Sequence, residues 1–218
     1  MTNVYENTGS DHSMDRSAFF GLITFFVCYG LGGSALAAHL TTQSGWMPQG
    51  WMGLIGLLIL PFIGIFMSIS RSWLVSFIGY NLVLIPFGIL LGPSLQKYDA
   101  DVVRNACLLT AGITLVMGLA GTIFPGVFSR LGSALFLSLS CLVLVRIAGI
   151  FVPELRNISA IEYIAAGIFS LYIGFDMWRA SVLERTLDNA VDVAISLYLD
   201  ILNLFLSILK IMGSSSDD

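Results

Sequence analysis

The sequence predicts an all-α membrane protein with about seven transmembrane helices. Three observations predict it. Of 218 residues, 56% are hydrophobic and only 11% charged, with a mean hydropathy of +0.88, whereas a soluble domain carries about 25% charged residues. A core at this length cannot absorb so much apolar surface, so the remainder must face lipid. The apolar residues also fall into runs near 20 residues, cut by charged or Pro/Gly-rich breaks, and no period-2 alternation with regular turns suggests a barrel.

The runs give the spans in order. The first is about Ala18–Leu40, followed by a polar, uncharged link from Thr41 to Gln49. The second, about Gly50–Ile69, ends at Ser70-Arg71-Ser72, and the third is about Trp73–Leu95. Lys97, Asp99, Asp101 and Arg104 mark the loop before the fourth, about Val102–Phe124. Pro125 to Arg130 is a tight break before the fifth, about Leu131–Val152. The sixth is about Ile161–Trp178, the charged segment Arg179 to Asn189 could extend it, and the seventh is about Val191–Met212. The organisation expected is a polar N-terminal tail, 1–17, a seven-helix domain, 18–212, and a polar tail, 213–218.

Composition excludes several function classes. A net charge of −4 and scattered basic residues make no nucleic-acid-binding stripe. Cys28, Cys107 and Cys141 lie in apolar stretches without metal-ligand spacing and are expected as small buried hydrophobes. His12 and His39 are isolated, and no cofactor is expected. Residues 1–15 carry Glu6, Asp11 and Asp15 but no Lys or Arg, unlike a signal peptide. Arg16, Arg71, Arg130, Arg179 and Arg185 against Lys97, Arg104, Arg156 and Lys210 slightly favour an inside N-terminus. Trp46, Trp51, Trp73 and Trp178 sit near predicted span ends, as interfacial anchors should. Gly88 and Gly92, and likewise Gly53 and Gly56, have spacing suited to close helix packing within one chain, so a monomer is expected.

Ionisable groups inside spans are costly and mark function. The candidates are Arg146, Glu162, Asp176, Asp192 and Asp200, of which Asp176 and Asp200 are deepest. Asp188-Asn189 is the best turn signal between helices six and seven. A reversal there puts each aspartate about 12 residues, or ~18 Å, from the turn, at similar depth on antiparallel neighbours. On helix seven Asp192, Ser196, Asp200, Asn203, Ser207 and Lys210 fall within about 80° of one another; on helix six Glu162, Tyr172, Asp176 and Arg179 share about 100°. Helix seven should therefore be internal, wrapped by the others, its polar stripe lining a pathway against helix six. Two carboxyls held close in low dielectric cannot both ionise cheaply, so the pair should share a proton near neutral pH. That makes a pH-sensitive latch whose carboxylates, once exposed, suit Ca²⁺ as transient ligands. The alternative is static polar glue, or an ion pair with Arg146 or Arg71.

The stretch Ile195-Ser-Leu-Tyr-Leu-Asp200-Ile-Leu-Asn203-Leu-Phe205, with the terminal Ser-Ser-Asp-Asp, closely resembles the end of the Bax inhibitor family, the transmembrane Bax-inhibitor-motif proteins, especially its bacterial members. Phe169-Ser-Leu-Tyr172-Ile-Gly-Phe-Asp176 is similar to the family's sixth-helix motif, and the aspartate spacing matches. The resemblance implies six helices surrounding a central C-terminal helix, a pH-dependent calcium leak, and a di-aspartyl sensor at Asp176 and Asp200. It also implies that Arg71 is the matching arginine latch at the end of helix two. Bacterial members carry an acidic residue earlier in that helix, where this chain has Ile59 or Leu60.

The first function expected is a pH-sensitive Ca²⁺ leak channel of the bacterial inner membrane, with Ca²⁺ and the bilayer as its partners. The second is an interaction protein that modulates membrane-protein quality control or cell-death machinery through a membrane-protein partner. An intramembrane aspartyl protease is disfavoured, because Gly174-Phe-Asp176 lacks the Gly-x-Gly-Asp signature of that group, and the chain is expected not to be an enzyme.

Overall fold

Every apolar run becomes a helix whose ends fall within a few residues of the polar breaks. The computed structural model describes residues 14–45, 50–68, 72–152, 154 and 158–214. Helix α1 spans Arg16–Ser44. Asp15 starts it, its carboxylate accepting from the Ser17 N–H at 3.1 Å and from the Ser17 hydroxyl. Gly45 ends it at φ 62°, a conformation glycine adopts without steric cost. There follow α2 (Gly50–Ser68), α3 (Trp73–Leu95), α4 (Ala100–Ile123), the single turn α5 (Pro125–Phe128), α6 (Gly132–Phe151), α7 (Ser159–Val182) and α8 (Leu187–Ser214). Among the described residues there is no strand. Six helices, α1, α3, α4, α6, α7 and α8, are long and apolar enough to cross a bilayer, and the apolar part of α2, Ile55–Ser68, is shorter. The chain is thus an all-helical, multi-pass integral membrane protein.

The C-terminal helix is central. Over its most apolar stretch α8 is 72% buried, against 17% for α4 and for α6, which settles which helix the others enclose. Four helices, α1, α3, α4 and α7, pack on α8 directly, while α2 packs mainly on α3 and α6 mainly on α7. The enclosure is therefore an inner shell with two outlying helices. The polar stripe of α8 explains its place, since a helix carrying Asp192, Ser196, Asp200 and Asn203 is costly against lipid.

Small residues and buried hydroxyls fasten the inner shell. A Cβ on Gly88 would lie 2.7 Å from the Ser34 carbonyl oxygen, so α3 meets α1 backbone to backbone there, and Gly92 meets Ala38 in the same way. The expected intramolecular role of this pair is thus met, whereas Gly56 faces open space. Tyr80 donates to the Phe26 carbonyl at 2.8 Å, and the Tyr198 hydroxyl of α8 meets Ser34 Oγ at 2.6 Å. A bilayer offers no water to these groups, so such bonds also satisfy atoms that would otherwise be stranded.

Two expectations need correction. Cys28, Cys107 and Cys141 are exposed rather than buried; in a membrane bundle apolar neighbours in sequence are as often outside as inside. The reversal before α8 lies at 183–186, not at Asp188-Asn189. Asn189 instead serves the start of α8, its N–H reaching Thr186 Oγ1 at 3.2 Å and its side-chain amide donating to the Glu184 carbonyl at 2.8 Å. Trp73 opens α3 and is 44% exposed, as an anchor at a membrane edge would be, while Trp46 lies outside the described residues.

Candidate functional site: an acid pair walled by three helices

Asp176 on α7 and Asp200 on α8 are 3% and 8% exposed, and their carboxyls lie within hydrogen-bonding reach of each other. The meeting depends on the connection between the helices. Asp176 stands about 9 Å along α7 from its end at Val182, and Asp200 about 20 Å along α8 from its start at Leu187, at 1.5 Å per residue. Residues 183–186 begin extended, with Leu183 at φ −71° and ψ 157°. The Thr186 N–H then donates to the Glu184 carbonyl at 3.0 Å, turning the chain just before α8 begins. Similar depth therefore arises from an asymmetric hairpin and not from the symmetric one the turn signal suggested.

The pair faces a cavity of about 360 Å³ between α6, α7 and α8. Apolar walls come from Leu139, Leu142, Phe169 and Phe175; Tyr172, Ser196 and Asn203 add polar atoms beside the aspartates. Among the described residues the cation nearest the pair is Arg179, whose Nη1 lies 3.6 Å from Asp176 Oδ1 and whose Nη2 donates to Ser196 Oγ at 3.0 Å. No donor among the described residues reaches Asp200 Oδ2. A hydrogen bond between the two carboxyls thus needs a proton on one of them. Arg179 was visible in the sequence as part of the polar face of helix six but was not assigned as a partner. Its signal was the i, i+3 spacing from Asp176.

Of the other residues singled out, Tyr172, Ser196 and Asn203 line the cavity. Asn203 also donates to the Leu199 carbonyl at 2.8 Å. Asp192 lies near Arg179 and Asp188, outside the cavity wall, with Oδ1 buried and unpartnered among the described residues. Ser207 is fully buried and does not line the cavity. Arg146 lines it but forms its ion pair with Glu162, Nη2 to Oε2 at 2.9 Å, and not with Asp176. Glu162 accepts a second cation at Oε1, Lys210 Nζ at 2.9 Å. Arg71 lies outside the described residues.

Residues 17–217 match the family model described as inhibitor of apoptosis-promoting Bax1. An uncharacterized membrane protein of Vibrio cholerae is 31% identical over 226 residues, covering 97% of this chain and 94% of its own length. An uncharacterized protein of Helicobacter pylori is 30% identical over 165 residues, 73% of this chain and 70% of its own. Bax inhibitor 1 of Schizosaccharomyces pombe is 30% identical over 162 residues, 73% of this chain and 57% of its own.

Proposed function

The chain belongs to the Bax inhibitor family, and from that premise we propose that it is a pH-sensitive Ca²⁺ leak of the bacterial inner membrane, gated by Asp176 and Asp200. The observation that carries this is the buried acid pair on two helices, facing a cavity with Arg179 adjacent. A proton shared between the carboxyls joins α7 to α8. Its loss leaves two like charges in a dry site, which push the helices apart unless a cation enters. Carboxylate oxygens are hard ligands of the kind Ca²⁺ prefers, and Tyr172, Ser196 and Asn203 supply further oxygens along the same wall.

Purified protein in liposomes, with a Ca²⁺ dye inside, tests the reading. Wild type is expected to pass Ca²⁺ at a rate that changes with pH, and Asp200→Asn is expected to remove the pH dependence. No flux at any pH would end it.

A second reading, an interaction protein without conduction, has its own support in α2. That helix carries no acidic residue among those described and exposes Leu58, Phe62 and Phe66 on its outer side. Crosslinking in membranes that recovers a stoichiometric membrane-protein partner, with silent liposomes, would favour it.

A further inference from the structure

The Glu162 cluster lies away from the aspartates but touches the same cavity through Arg146. Fourteen residues separate Glu162 from Asp176, about 21 Å along α7. What the cluster holds together is α6, the wall of the cavity that is least well packed. The buried residues of α6 are Leu135, Leu142 and Gly149, a single line at seven-residue spacing. Its other faces are open, with Phe136 71%, Leu144 66% and Ile150 72% exposed. Its N-terminal end follows α5, whose Phe128 ring is seated on Gly174 where any Cβ would collide with it. Toward its C-terminal end, the Arg146–Glu162 pair is the only side-chain hydrogen bond from α6 to another helix among the described residues. Between these two attachments Leu139, Leu142, Val143 and Arg146 form the cavity wall.

We infer that α6 is a hinged cover over the di-aspartyl cavity, with the Phe128–Gly174 contact as its hinge and the Arg146–Glu162 ion pair as its latch. The inference deepens the proposed function, since the cavity it covers is the one that holds the aspartates, but the motion itself needs no ion flow. Phe128 fixes one end of α6 by shape, and a ring wedged against a glycine cannot be exchanged for water. The latch is different in kind. Arg146 lies five residues from the end of α6 and is 40% exposed along its side chain, so its long side chain can reach the membrane surface and be solvated there when the pair breaks. Lys210 keeps Glu162 on α8 in the meantime, so unlatching frees α6 without loosening α7 from α8. Released, α6 swings from its α5 end and opens the cavity sideways.

The test reads the separation of α6 and α7 directly. Cys28, Cys107 and Cys141 are replaced by Ser, spin labels are placed at Leu144→Cys and Ile164→Cys, both exposed positions, and distances are measured by pulsed electron resonance on the full chain in lipid nanodiscs. The latched protein is expected to give one short-distance population. Glu162→Gln and Arg146→Gln are each expected to add a longer-distance population that holds at least half the molecules, and Lys210→Gln to leave the distribution unchanged. If Glu162→Gln fails to fold, Arg146→Gln carries the test. A single short population in the latch variants that fold, or equal opening in Lys210→Gln, overturns the inference. Because no ion is involved, a shift in distance with silent liposomes would retain the cover and remove the leak. Ca²⁺ flux without any shift would do the reverse.

Discussion

The two charged clusters on α7 balance their charges in opposite ways. At one end Asp176 and Asp200, with Asp192 nearby, face a single guanidinium among the described residues, Arg179. At the other end one carboxylate, Glu162, holds two cations, Arg146 and Lys210. Surplus positive charge is more easily carried there, because Arg146 and Lys210 stand five and four residues from the ends of α6 and α8 and are 40% and 46% exposed, so their long side chains can reach the membrane surface. The surplus acid has no such relief, since Asp176 and Asp200 are almost fully enclosed. Only a proton or an entering cation can balance it. The same helix thus carries at one end a fastening with cations to spare, and at the other an acid site that responds to protons and cations.

Substitutions should break this contrast in a set order. The largest effect is expected from Arg179→Gln, which removes the cation that pairs with Asp176. A fully enclosed pair would cost about 3–5 kcal/mol to break, and the partial exposure of Arg179 lowers the figure to about 2 kcal/mol. Thermal unfolding in nanodiscs at neutral pH measures it. Next come two changes of similar size and opposite sign. Glu162→Gln should destabilise by about 1 kcal/mol, because Arg146 and Lys210 both lose the carboxylate they pair with. Asp200→Asn should stabilise by about 1 kcal/mol at alkaline pH, where the shared proton is lost, because it removes a like charge yet keeps a group able to bond Asp176. The gain should fade as pH falls and the wild-type carboxyl loses its charge as well. The same sign for both variants would mean that the two clusters are not opposites.

The smallest effect concerns Asp15, outside the membrane. Its bonds to the Ser17 hydroxyl and N–H hold its carboxyl below the ordinary value of 3.8. A lowered acid stabilises above the carboxylate range and loses that contribution as pH falls through its folded value. Amide exchange at the first turn of α1, corrected for intrinsic rates, should therefore quicken only in that acid range. Asp15→Asn should make it insensitive there.

Much of this was legible in the sequence, for identifiable reasons. The lengths of the apolar runs set the helices, and Trp73–Leu95 was read to the residue. Asp176 and Asp200 stood out because, of the ionisable groups in their spans, they lie farthest from the ends. The Glu162 partnership was not legible, because the register of α6 against α7 depends on Phe128 and Gly174 meeting, a contact between residues 46 positions apart. The reversal was misplaced because Asp and Asn favour both turns and helix starts, and Asn189 had taken the second role.

The central position of α8 has a consequence for biogenesis. The helix that fills the middle of the bundle is the latest of the described helices to leave the ribosome. The earlier ones enter the bilayer before their core exists, and wait around a gap that lipid or an insertion factor must fill. When α8 arrives it can lay its aspartates directly against Arg179 and the α7 carboxyl, without first spending time alone in hydrocarbon. A chain cut short before α8 would leave the nascent bundle with its small-residue faces bare, an obvious target for membrane proteases.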